Sequence, residues 1–127
     1  MTKHLILKIV AIAEQAGQAI MEIYADPAGA VTTKADNSPL TQADLVSDRV
    51  ISAGLAELSS GWPVLSEESA QIAYAERKNW QRFWLVDPLD GTREFIRRNG
   101  EFTVNIALIE NGVPVLGAVY APVLDVC

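Results

Sequence analysis

An apolar run, Phe83-Trp84-Leu85-Val86, ends abruptly on Asp87-Pro88-Leu89-Asp90-Gly91-Thr92. Few folds accommodate that order: the run reads as a buried strand, and the acids, proline and glycine read as a turn that leads into a helix. Pro88 fixes φ and lacks an N–H, so the spacing predicts a strand that stops at Asp87 and two carboxylates that project from one tight loop. Like charges held that close repel and raise each other's pKa, which calls for a cation between them. Donors that are all oxygen favour a hard ion such as Mg²⁺. Gly91 permits close backbone approach, and Thr92 can cap a short helix through Arg93, Phe95 and Ile96, a ready site for phosphate beside a metal. Taken alone, the same string also fits aspartates that serve only as turn and cap residues.

The chain has 127 residues, enough for one core and too few for two. Half of the residues are hydrophobic and the net charge is −6, so the composition is that of a globular protein without the basic surface a nucleic-acid polymer requires. A single cysteine, Cys127, and a single histidine, His4, exclude an internal disulfide framework and a zinc site built from these residue types. No apolar run approaches a membrane span, and a reducing, cytoplasmic setting is the expectation.

From Lys3 to about Ala25, Leu5, Ile9, Ile12, Ala16, Ile20 and Ile23 recur at helical spacing and predict an amphipathic helix that stops at Asp26-Pro27-Ala28-Gly29. Val31 to Lys34 reads as a short strand. A second helix is expected from Thr41, with Thr41-Gln42-Ala43-Asp44 as a capping box and Leu45, Val46, Val50, Ile51, Leu55 and Leu58 as its apolar face. Val64-Leu65 is a brief strand delivering Glu67-Glu68, and residues 70–82 read as loop with one helical turn from Ile72 to Arg77. Phe102 to Ile109 and Val113 to Tyr120 form a hairpin about Asn111-Gly112. Helices first and a hairpin last indicate an α+β fold, a layered α/β sandwich with two N-terminal helices on a largely antiparallel sheet, and not a doubly wound one.

Three acid-bearing segments stand out: Asp44 in a helix, Glu67-Glu68 after a strand, and Asp87 with Asp90 after the central strand. Carboxylates at strand ends on a common edge could surround one or two cations and suit phosphoester hydrolysis. The strings K-A-D-N-S-P-L-T-Q-A-D (34–44), V-L-S-E-E-S (64–69) and W-L-V-D-P-L-D-G-T-R-E-F-I (84–96) resemble the inositol monophosphatase superfamily. Residues 101–122, E-F-T-V-N-I-A-L-I-E-N-G-V-P-V-L-G-A-V-Y-A-P, resemble its bacterial 3′(2′),5′-bisphosphate nucleotidase branch.

The resemblance implies a sandwich of the sugar-phosphatase type and a Mg²⁺-dependent phosphomonoesterase that removes the 3′-phosphate of adenosine 3′,5′-bisphosphate. Inositol monophosphate or another sugar phosphate is the alternative substrate, and a catalytically incomplete metal-binding or interaction fragment the alternative from another class. By the same resemblance, Glu67 and Asp87 would ligate a first metal with the carbonyl of Leu89, and Asp87 and Asp90 would share a second. Glu67, Leu89, Asp90, Gly91 and Thr92 would line the substrate, with Gly91 and Thr92 meeting its phosphate. The Thr92 hydroxyl and Asp44 would orient the attacking water. On local sequence alone, Asp44 is better explained as the acid of the capping box. The resemblance also allows peripheral association with the inner membrane. It further implies that residues 1–127 are an N-terminal metal-binding domain with little or no phosphatase activity alone, because relatives carry a further aspartate in a W-D-x-A-like segment of a second domain that this sequence lacks.

Overall fold

The computed structural model describes residues 2–24, 39–58, 62–66, 81–91 and 100–127. Two helices, α1 (Thr2–Tyr24) and α2 (Pro39–Leu58), precede four strands, β1 (Val64–Ser66), β2 (Arg82–Asp90), β3 (Thr103–Glu110) and β4 (Val113–Tyr120). The strands lie in sequence order in one sheet. β1 pairs with β2 in parallel, and β2–β3 and β3–β4 are antiparallel. The sheet is therefore mixed, with the antiparallel pairs predominating as expected. The strand expected at Val31–Lys34, the helical turn at Ile72–Arg77 and the short helix after Thr92 lie outside the described residues.

α1 forms where its apolar spacing predicts. Ile9, Ile12, Ala13, Ala16 and Ile20 are buried along one stripe, and Leu5 and Ile23 pack at its ends. Each fully buried isoleucine contributes about 1.5–3 kcal/mol of transfer free energy. α2 begins earlier than expected, at Pro39. Proline suits the first helical turn because its fixed φ is already helical and its missing N–H would have no partner there. Thr41 consequently lies inside the helix and not at the N-cap where the capping box placed it. The buried stripe of α2 is Ala43, Ser47, Ile51 and Leu55, whereas Leu45, assigned to the apolar face from its spacing, is 39% exposed.

Both helices cover one face of the sheet, and that face alternates out of β2, β3 and β4 with period two: Trp84 and Val86, Val104, Ile106 and Leu108, Ala118 and Tyr120 are all buried. The opposite face carries Leu85, Ala107, Gly117 and Val119, which line an open groove of about 330 Å³ with Asp87 and Asn105 at one end. The β3–β4 hairpin turns through Asn111 (φ 52°) and Gly112 (φ 81°), the pair of left-handed residues that a tight two-residue connection requires.

β2 departs from expectation at the residues of most interest. The strand does not stop at Asp87 but continues through Pro88 to Asp90. Asp87 pairs with Asn105 and Asp90 with Thr103, so three steps along β2 match two along β3. One extra residue is therefore inserted at a β-bulge, which interrupts the ladder where Pro88 has no N–H to donate.

Candidate active site

The bulge decides where the acids point. In a regular strand, residues three apart face opposite sides of the sheet, and Asp87 and Asp90 would be separated by it. Their partners Asn105 and Thr103 are two apart and share a face, so the inserted residue returns Asp90 to the side of Asp87. The hydrogen bonds agree: the Asn105 amide, directly across from Asp87, donates to Oδ2 of Asp90 at 3.1 Å. The two acids thus come from a bulged strand and not from a loop. Asp87 is half-buried and Asp90 exposed at the strand end. Between them Leu89 is 3% exposed as a whole and its side chain belongs to the core cluster, which leaves its backbone as the part suited to meet a ligand. Gly91 follows at φ 95°, a conformation that side chains with a Cβ rarely adopt.

α2 gathers the remaining parts. The Ser47 hydroxyl is fully buried and donates to the Pro88 carbonyl at 2.7 Å, tying the helix to the middle of the bulge. On the next residue, Asp48 accepts a hydrogen bond from Ser66 Oγ at 2.7 Å, tying the helix to the last residue of β1. Asp44 lies one turn before both, three and four residues away, and so shares their side of α2. Ser66 is in register with Val86. The next residue along β2 is Asp87, and the next in the sequence after Ser66 is Glu67. Glu67, Glu68 and Thr92 themselves lie outside the described residues.

The donor set suits a hard divalent cation: two carboxylates on one sheet face beside a backbone that turns away through glycine. Among the described residues no group of three or more acidic, histidine or cysteine side chains converges, so a third carboxylate would have to come from elsewhere. Among the described residues, too, no helix is long and apolar enough to cross a membrane. Sequence reasoning missed Ser47, Asp48, Ser66, Thr103 and Asn105. For Ser47 the signal was available, since it interrupts the stripe Ala43, Ile51, Leu55 with a hydroxyl that needs a partner. For Asn105 there was none, because its partner depends on the bulge.

Comparisons with known proteins bear on the family and the fold. The family model described as the inositol monophosphatase family matches residues 2–127. The 3′(2′),5′-bisphosphate nucleotidase CysQ of Escherichia coli (strain K12) is 55% identical over 121 residues, covering 94% of this chain and 48% of that protein. Its counterpart in Salmonella typhimurium is 57% identical over the same shares. The crystal structure of CysQ from Bacteroides thetaiotaomicron superposes with a TM-score of 0.83 at 49% identity, covering 94% of this chain and 43% of that one. The chain spans about half the length of the curated relatives it matches. On the family match across nearly all of its residues, the chain belongs to the inositol monophosphatase family.

Proposed function

We propose that residues 1–127 form the metal-binding N-terminal part of a Mg²⁺-dependent phosphomonoesterase that removes the 3′-phosphate of adenosine 3′,5′-bisphosphate in the cytoplasm. The observation that carries this reading is the bulge at Pro88, which turns Asp87 and Asp90 to the same side of the sheet. The similarity to bisphosphate nucleotidases supplies the substrate class. Glu67 and Asp87, with the Leu89 carbonyl, would hold a first cation, and Asp87 and Asp90 would share a second. When bound, the cations supply an activated water and neutralise phosphoryl charge. Gly91 and Thr92 offer backbone N–H groups to the phosphate, and Asp44 and the Thr92 hydroxyl orient the attacking water, so no covalent phosphoenzyme forms. Arg93, Arg97 and Arg98 follow closely in sequence and are suited to attract the anionic substrate.

The test joins residues 1–127 in frame to the remaining half of the Escherichia coli relative. Phosphate release is measured from adenosine 3′,5′-bisphosphate and from inositol 1-phosphate, with and without Mg²⁺. Faster Mg²⁺-dependent release from the nucleotide, lost in Asp87→Asn, is the expected result. A folded chimera that prefers inositol phosphate overturns the substrate, and one that hydrolyses neither overturns the enzyme reading.

A further inference from the structure

Asp90 makes its side-chain hydrogen bond to the wrong neighbour for a simple cross-strand pair. Its register partner is Thr103, yet its carboxylate accepts from Asn105, the residue opposite Asp87. The contact is diagonal and leans Asp90 along the sheet towards Asp87. Asn105 is itself held: Thr103 Oγ1 donates to its Oδ1 at 3.0 Å, which leaves Nδ2 to face the carboxylate. The reversed amide would set a carbonyl oxygen against an ionised carboxylate and turn a donor away from it, so the chemistry of both partners selects this orientation.

We propose that Asn105 is a positioning residue for Asp90, oriented by Thr103, and that this relay presents Oδ1 of Asp90 together with the Asp87 carboxylate to one divalent cation. The proposal rests on the metal-binding reading above and adds two residues to it. An amide that occupies Oδ2 leaves one oxygen for the cation and fixes the rotamer in advance, so less conformational freedom is lost when the ion binds. Neither Thr103 nor Asn105 touches the ion; both act through Asp90.

Mn²⁺ titrations of the purified chain, followed by the electron paramagnetic resonance of the free ion, test this without recourse to activity. Asn105→Leu is expected to weaken Mn²⁺ binding by about 10- to 100-fold, the usual range for loss of a residue that orients a ligand. Thr103→Val should weaken it in the same direction and Thr103→Ser, which keeps the hydroxyl, should restore it, with thermal midpoints of the two Thr103 variants unchanged. If Asn105→Leu fails to fold, the Val and Ser pair at Thr103 carries the test alone. Wild-type affinity in Thr103→Val, alongside loss of binding in Asp87→Asn, overturns the relay and leaves the metal site standing. A wild-type chain that binds no Mn²⁺ overturns the metal reading and the relay with it.

Discussion

At the scale of single residues, the site is held by polar side chains that contribute little apolar area but remove degrees of freedom. Ser47 is fully buried, and its bond to the Pro88 carbonyl is all that satisfies its hydroxyl among the described contacts. Ser47→Ala is expected to lower stability by about 1–3 kcal/mol, because the Pro88 carbonyl loses its donor inside the protein. The same change loosens the bulge, so Mn²⁺ affinity should fall with it; a variant with unaltered urea midpoint and unaltered affinity would count against the tether. Asp87→Asn should weaken Mg²⁺ binding far more than Glu68→Gln, since Asp87 is proposed as a ligand and Glu68 is not. Equal losses in parallel titrations would contradict that assignment. The acids themselves were legible in the sequence, because a strand that ends in D-P-L-D-G-T is unusual chemistry. The residues that hold them were not, because Asp48 meets Ser66 and Ser47 meets Pro88 only after a helix and a sheet have docked.

At the scale of elements, periodicity found the helices and turn chemistry found the hairpin, and the two errors in placing element ends arose where a backbone constraint was misplaced. Thr41 has the form of a cap, but the proline two residues earlier is the better first residue of a helix. Pro88 was read as a stop, but a bulge tolerates it. Neither the insertion nor the facing of the acids can be seen without the partner strand. Docking of α1 on the sheet depends on a small residue: a Cβ built on Gly17 would lie 2.6 Å from Cδ2 of Tyr120 and 3.1 Å from Cγ of Pro122. Gly17→Ala gains helix propensity of about 1 kcal/mol. Overpacking against a buried ring costs about 1–3 kcal/mol and wins. The variant should melt below wild type in thermal scans; a rise in midpoint would mean that Tyr120 moves aside freely.

At the scale of the whole molecule, Tyr120 joins three parts of the fold. Its ring sits in the core under α1, Gln18 Nε2 of α1 reaches its hydroxyl at 3.4 Å, and the hydroxyl donates to Oδ1 of Asp125 at 2.6 Å in the turn that follows β4. That turn closes through a bridge between Ala121 and Val126. The hydrogen bond to the Asp125 carboxylate and then burial hold the phenol above its ordinary value of 10.0, since both favour the neutral form. In the folded chain the proton is therefore kept at pH values where the unfolded chain releases it, and stability must fall as pH rises through that window. The contribution is complete below the ordinary tyrosine pKa and is lost as pH rises through the folded one. Tyr120→Phe keeps the ring and removes the ionisation. At about pH 8 it should be less stable than wild type by about 0.5–1.5 kcal/mol, the worth of a lost hydrogen bond. Urea midpoints measured at increasing pH should then converge as wild type loses its advantage above the ordinary tyrosine pKa of 10.0. Because Tyr24 and Tyr74 are common to both proteins, the difference isolates Tyr120. Curves that decline in parallel would show that the phenol does not couple the turn to α1 in solution.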